Sequence, residues 1–346
     1  MPLDRDKLAE IEAQRAEAHT TRRATVPALE ELLYQPLPVL DHGFVRLIDY
    51  MGDDAAIVQA ARVSYGKGTK RSQSDQGLIR YLMRHRHTSP FEMCAIKLHL
   101  KMPIFVARQW IRHRTASLNE YSARYSILDR EFYVPDRDYL ESQRSLKAPR
   151  AEAAAAQAAL FDLERPEPEA TAAQSTRNKQ GREEVLDAGE AFDATDRIKR
   201  ESERAHSFYA RLLNERADGS TIAPGRPGLA RELARIVLPL NTYTQLYWKI
   251  DLHNLLHFLS LRADSHAQYE IRAYAEVIAE LVERWVPLTA AAFAEYRSRG
   301  LTLPPTAAAV LRRRLRGEPV SQADSGLSAR EWRELVEALP ELGGAV

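Results

Sequence analysis

The stretch MCAIKLHLKMPIFVARQWIRHR, Met93 to Arg114, joins two periodicities at a proline. Up to Lys101 the residues alternate. Cys94, Ile96, Leu98 and Leu100 face one way and Lys97, His99 and Lys101 the other, the period of a half-buried strand. Pro103 then suits the first turn of a helix, where its missing N–H costs nothing. In PIFVARQWIRHR, Ile104, Ala107 and Ile111 share a face with Val106 and Trp110 beside them, while Arg108, Gln109 and Arg112 fall opposite at i, i+3 and i+4 spacing. A strand feeding an amphipathic helix predicts mixed α and β texture, and it extends from about residue 37 to 140. GFVRLIDYM (43–51) reads as a strand, and DDAAIVQAARVSYG (53–66) as a helix with an aspartate at its start and a glycine after its end. SDQGLIRYLMRHR (74–86) reads as a helix with Leu78, Ile79, Leu82 and Met83 on one face, and SILDREFYVP (126–135) is strand-like.

Outward from this block the texture changes. Residues 1–36 form a charged N-terminal extension. The segment 143–200 holds AEAAAAQAAL, a proline-bearing polar run and a heavily charged stretch, and reads as a surface insertion, partly disordered and without chemistry. Residues 229–296 read as a helical half. No proline or glycine lies between Pro239 and Pro287, and the sequence is apolar on more than one side, which predicts long buried helices inside an oligomer. A C-terminal extension, 301–346, carries the basic run RRRLRG (312–317). It ends in a helix with a capping box at Ser328-Ala-Arg-Glu331 and an apolar stripe of Trp332, Leu335, Val336 and Leu339, suited to docking on the core or on another subunit.

Bulk properties exclude some function classes. The chain has 346 residues, and its 49 basic against 48 acidic residues argue against a general nucleic-acid coat. One cysteine cannot make an intramolecular disulfide, which fits a reducing compartment. The charged N-terminus lacks the apolar run of a signal peptide, and no segment approaches a membrane span of about 20 apolar residues. The expectation is a cytoplasmic protein with no membrane association.

Against that near-neutral background RHRTASLNEYSARY, 112–125, is unusual. It gathers Arg112, His113, Arg114, Ser122 and Arg124 around the carboxylate of Glu120. Arginine forks and hydroxyls together suit a phosphate or carboxylate ligand. A network of internal ion pairs, or cations complementing a helix C-terminus, would use the same residue types. Further along, Arg231 and Arg235 lie one turn apart, which a solvated helix face would also explain. His253 and His257, at i and i+4, could chelate a metal with His266, but the HExxH glutamate is missing. His87-Thr88-Ser89-Pro90-Phe91-Glu92 is either a polar turn or a loop whose Ser89 and Glu92 face a ligand. Cys94 shares a face with apolar residues, so it reads as an inert core thiol. There is no GxGxxG and no GxxxxGK[ST] loop.

Arg112-His113-Arg114, then seven residues, then Ser122 matches the RHRx7S signature of the flavin-dependent thymidylate synthases. AARVSYG, RHTSPFE, MPIFVARQW, EFYVP, LARIVLPLNTYT and LRADSHAQYEI resemble further blocks of that family, in its order, over roughly 40–295. The resemblance implies an α+β subunit of helices and antiparallel sheet, a catalytic domain over 37–300, and a homotetramer with active sites shared between subunits. It implies reductive methylation of dUMP to dTMP, with 5,10-methylenetetrahydrofolate as carbon donor, FAD as cofactor and NADPH as reductant, and no cysteine nucleophile. By matching position, Gln109, Arg112, Glu120, Ser122, Arg124, Arg235 and Arg262 would bind dUMP. Ser89, Arg112, His113, Arg114, Glu120, Asp251, His253 and His257 would meet FAD, and His87 would lie near flavin and folate. Arg262 would be catalytic, stabilising negative charge on the uracil ring; no metal is implied. A metal-dependent hydrolase built on His253, His257 and His266, or a polyanion-binding protein built on the Arg112–Arg124 cluster and the basic run, are the competing classes.

Overall fold

The computed structural model describes residues 5–63, 74–122, 130–135, 188–216, 218–264 and 267–342. The chain divides into two compact units, Met1–Ala291 and Ala292–Val346.

The first unit is built on a five-stranded sheet of order β1-β2-β3-β5-β4, with every neighbouring pair antiparallel. Its strands are β1 (Pro36–Val39), β2 (Gly43–Met51), β3 (Ala95–Pro103), β4 (Ser117–Glu120) and β5 (Tyr243–Asp251). In β3, Ile96, Leu98 and Leu100 are buried as the alternation requires. Lys101 departs from the expected exposed face: it is buried, and its ammonium is paired with Glu131. Burying the cation is tolerable because a carboxylate meets it there.

The helices read at 53–66 and 74–86 begin where their sequence signals place them; the first ends at Arg62, and the glycine read after it, Gly66, lies outside the described residues. After α1 (Arg5–Ala16) and the short α2 (Pro27–Glu30), α3 (Asp54–Arg62) is capped by Asp53, which accepts from the Ala56 amide. Ser74 caps α4 (Asp75–Arg84), whose Leu78, Ile79, Leu82 and Met83 are all buried. The turn at 87–92 closes into a single helical turn, α5 (Ser89–Glu92).

Four expectations change. The helix after Pro103, α6 (Ile104–Trp110), stops at Trp110 instead of continuing to Arg114. The His113 amide bonds to Trp110 O at 3.0 Å, and the chain turns out to pair β4 with β5, leaving Ile111 exposed. Next, residues 243–251 are not helical. β5 pairs along its whole length with β3, from Ala95↔Asp251 to Pro103↔Tyr243, and with β4 from Ser117↔Lys249 to Glu120↔Leu246. The reason is visible in YTQLYWKID. Leu246, Trp248 and Ile250 are buried while Tyr247 and Lys249 are exposed, a period of two in residues that favour strands. Third, α7 (Ala188–Leu213) runs through the expected end of the insertion. It buries Ala191, Ser202, His206 and Tyr209, so residues 188–200 belong to a packed helix; residues 143–187 lie outside the described set. Last, of the strand-like 126–135 only the bridge Phe132↔Thr242 falls among described residues.

After the short α8 (Arg231–Ala234), one face of the sheet is covered by α9 (Leu252–Arg262), which leaves β5 directly, and α10 (Tyr269–Trp285). α10 packs against α6, β1 and β2. Its Tyr274 hydroxyl donates to Lys101 O at 2.7 Å, and a Cβ on Gly43 would come within 1.9 Å of that hydroxyl, so only glycine fits there. Trp110 lies against Trp248, Phe258 and Tyr274 at ring separations of 5.1, 4.5 and 6.2 Å, tying α6, β5, α9 and α10 together. α11 (Pro287–Phe293) follows.

The second unit contains α12 (Pro305–Leu315), α13 (Gln322–Ser325) and α14 (Ala329–Ala338) around its own core of Ala307, Val310, Val320, Leu327, Leu335 and Leu342. The capping box forms as read: the Ser328 side chain accepts from the Glu331 amide and the Glu331 carboxylate accepts from the Ser328 amide. Trp332, Val336 and Leu339 pack onto the same core.

Candidate active site

Because Trp110 is anchored in the aromatic core, the turn after it projects Arg112, His113 and Arg114 from a fixed point. The His113 ring packs edge-on to Phe258, with centroids 4.8 Å apart, and lies 6.4 Å from His257. Arg262, at the last turn of α9, donates from Nε to His113 Nε2 at 2.9 Å. That bond dictates the imidazole's state: Nε2 must carry the lone pair, so the ring is neutral with its proton on Nδ1. Burial, with Arg262 and His257 beside it, accordingly pushes the His113 pKa down to about 4. Burial and the nearby Arg112 lower that of Arg262, although a guanidinium keeps its proton regardless. With Nε committed, the two Nη groups of Arg262 remain as donors for a ligand.

The decisive electrostatic fact concerns partners. Among the described residues Arg112, Arg114 and Arg262 have no carboxylate within ion-pair distance, although such pairs occur elsewhere in the chain. Glu120 takes no arginine among those residues either; it accepts from Thr244 Oγ1 at 2.9 Å, across the β4–β5 pairing. A structural ion-pair network would have neutralised these cations internally. Arginines without a carboxylate among the described residues, beside a neutral histidine, are suited to an external anion.

Gln109 sits on α6 and donates from Nε2 to Gln268, whose own Nε2 donates to Glu270 at 2.8 Å. Glu270 is buried, and its other oxygen accepts from the Tyr133 hydroxyl at 3.3 Å. Thr244, Tyr133, Gln268 and Glu270 were not singled out from the sequence. They lie within LNTYT, EFYVP and LRADSHAQYEI, but polar residues in such blocks carry no signal of which neighbour they meet.

The remaining residues are more dispersed. Asp251 caps α9, accepting from the Asn254 amide at 2.9 Å and from Asn254 Nδ2 at 2.7 Å, so both carboxylate oxygens serve the helix start. His253 and His257 ride on that helix. α5, with Ser89, packs against α9. His87 is exposed, its ring 5.8 Å from Tyr81. Arg231 is paired with Glu215 at 3.0 Å, whereas Arg235 is exposed and, among the described residues, bonded only to Glu232 O, at 3.3 Å. Ser122 is half-buried, and Arg124 and His266 lie outside the described residues. Among those described, no group of three or more His, Cys, Asp or Glu side chains gathers to hold a metal, and no helix is long and apolar enough to cross a membrane.

Cys94 is fully buried, with Sγ 3.6 Å from Asp53 O. Burial, reinforced by the Asp53 and Asp54 carboxylates, pushes its thiol up to about 12, which keeps it protonated at neutral pH.

An antiparallel sheet with helices packed on it, and arginines without carboxylate partners among the described residues where a helix end meets an edge strand, defines an α+β protein whose candidate site suits a small anionic ligand. The family model described as thymidylate synthase complementing protein matches residues 46–288. Proteins named flavin-dependent thymidylate synthase match over nearly the whole chain. That of Gluconobacter oxydans is 55% identical, covering 98% of this chain and 99% of the relative. That of Ruegeria pomeroyi is 54% identical with the same coverage. Among solved structures, the UMP/dUMP methylase PolB from Streptomyces cacaoi, bound with 5-Br UMP, is 32% identical with a TM-score of 0.55, covering 75% of this chain and 98% of PolB. The chain belongs to the flavin-dependent thymidylate synthase family.

Proposed function

We propose that the protein reductively methylates dUMP to dTMP, with 5,10-methylenetetrahydrofolate as carbon donor, FAD as cofactor and NADPH as reductant. The observation that carries this reading is that Arg112, Arg114 and Arg262, on and around the RHRx7S turn, have no carboxylate partner among the described residues. A nucleoside monophosphate supplies the missing negative charge, and Arg112, Ser122, Arg124 and Arg235 hold it. Gln109 and Glu120 contact the remainder of the nucleotide.

Arg262 is the catalytic residue. It cannot act as a base, but its free Nη donors can stabilise negative charge developing along the uracil N3–C4=O edge, making C5 more nucleophilic. Neutral His113 helps by holding Arg262 through Nε without adding a competing charge. The donor set also suits FAD: Arg112 and Arg114 are cations with no carboxylate partner among the described residues, suited to a diphosphate, and His113 and His257 offer ring surface. Ser89, Glu120 and His253 complete that contact. Asp251 acts mainly by fixing the start of the helix that carries His253 and His257, and His87 lies toward the folate side. When bound, the flavin supplies the reducing equivalents. Cys94, buried and protonated, has no part in attack on the pyrimidine.

The catalytic domain is assigned to 37–300 and the protein to the cytoplasm, acting as a homotetramer whose active sites lie at subunit interfaces. The segment around Arg235 supports shared sites: Leu233, Ile236 and Leu240 are 49%, 74% and 63% exposed, an apolar surface suited to another copy of the chain.

The test is dTMP formation by flavin-stripped protein from dUMP, methylenetetrahydrofolate and NADPH, with and without added FAD. Product that depends on FAD is expected. Folded, FAD-reconstituted protein that makes none would refute the reading.

A further inference from the structure

Gln268 occupies the N-cap position of α10 but makes no side-chain cap. Residues that cap are short and polar; glutamine is not among those favoured. Its amide instead bridges Gln109 and Glu270. The order of donors along this bridge is forced from its buried end. Glu270 lies in the first turn of α10, where a carboxylate is favoured by the helix dipole, and it also accepts from Tyr133. A carboxylate can only accept, so Gln268 must turn its NH2 toward Glu270 and its carbonyl toward Gln109. Gln109 must then turn its NH2 inward. Reversing it would set two carbonyl oxygens against each other and leave a donor and an acceptor unmatched. The carbonyl oxygen of Gln109 is left outward, with no partner among the described residues.

We propose that Glu270, acting through Gln268, fixes the polarity of the Gln109 amide so that the nucleotide meets an acceptor there and must supply a hydrogen-bond donor. Gln268 and Glu270 are thus positioning residues for substrate selection. This rests on the dUMP reading above. Two groups of dUMP supply such a donor, the uracil N3–H and the sugar 3′-hydroxyl. A cytosine ring in the same pose has no N3–H.

The test is calorimetric binding of dUMP, N3-methyl-dUMP and 3′-deoxy-dUMP to the full-length, FAD-reconstituted protein, with steady-state kinetics alongside. Glu270→Gln keeps the shape and hydrogen bonding of the buried group but can donate as well as accept, so it releases the polarity. It should weaken dUMP binding roughly 5- to 20-fold, the worth of one well-placed hydrogen bond, and leave kcat within about twofold. That loss should vanish in a Gln109→Met background, since nothing remains to orient. The analogue that binds weakly to wild type, and is not weakened further by Glu270→Gln, identifies the donor. Should Glu270→Gln fail to fold, Gln268→Met breaks the same bridge and carries the same expectations. An unchanged dUMP affinity, or a loss that persists undiminished with Gln109→Met, overturns the proposal and leaves the dUMP reading intact. Folded wild type that does not bind dUMP at all overturns both.

Discussion

The chain has two arginine clusters that look alike in sequence and differ in their partners. At 312–316, in the second unit, Arg313 and Arg316 both pair with Glu318, at 3.1 and 2.8 Å, and Arg314 donates to Leu342 O at 2.9 Å. These cations close a small helical unit on itself. At 112–114 and 262, Arg262 meets the charge of Arg112 and a neutral histidine, and none of the three arginines has a carboxylate partner among the described residues. Like charges held together without a counter-ion cost stability, and folding alone gives no reason to keep them. The contrast teaches that a basic run becomes evidence of function only when its partners are known.

The contrast can be broken most directly at Arg262. Arg262→Ala should lower kcat by roughly 10²- to 10³-fold, the usual worth of a fixed donor aimed at developing charge, while dUMP affinity changes little. Steady-state kinetics paired with calorimetry decide it; an equal loss in both would contradict the catalytic assignment. Arg112→Ala should act the other way, weakening dUMP binding by roughly 10- to 100-fold through loss of charge-assisted hydrogen bonds. Calorimetry at low and high salt provides the check, because an external anion site weakens as ionic strength rises.

Smaller effects sharpen the other side. In the second unit, Ser328→Ala should cost about 1 kcal/mol, the typical worth of an N-cap, with activity retained. Denaturant unfolding and turnover of the same preparation would show it. Arg316→Ala should leave turnover at the wild-type value; a clear fall would mean that the basic run joins the chemistry after all.

Histidine protonation gives a further handle on stability. His206 is buried, with Nε2 3.3 Å from Thr242 Oγ1, and burial lowers its pKa from 6.5 to about 4. A group more easily protonated when unfolded stabilises the fold at neutral pH. That contribution is lost as pH falls from about 6.5 toward 4. His206→Phe should therefore show a shallower fall in stability over that window than wild type, measured by urea unfolding at stepped pH. Parallel curves would count against a neutral buried imidazole.

Much of this was legible in the sequence. The strand at 43–51, the apolar side of β3, the helix start at Asp53, the capping box at Ser328 and the apolar face of α4 are local signals, and the structure forms each of them. β5 was missed because helix and strand readings compete in a long apolar run without glycine or proline. Its pairing with β3 and β4 settles the matter, and those partners lie far away in the chain. The local pattern makes α6 a turn too long for the same reason: what ends it is the pairing of β4 with β5 at the sheet edge. Lys101 looked exposed by its period, but only the fold brings Glu131 to it.

By itself, then, the sequence determined the mixed α and β character, the local caps, the inert thiol at Cys94, and the RHRx7S block that places the chain in its family. Those follow from residue type and short-range spacing, which a one-dimensional pattern contains. The tertiary structure alone decided which arginines have no counter-charge among the described residues, that His113 is neutral, that Asp251 is occupied as a cap, and which way the Gln109 amide faces. Each of these depends on a partner's distance and on its ability to donate or accept, quantities that exist only once the chain has folded.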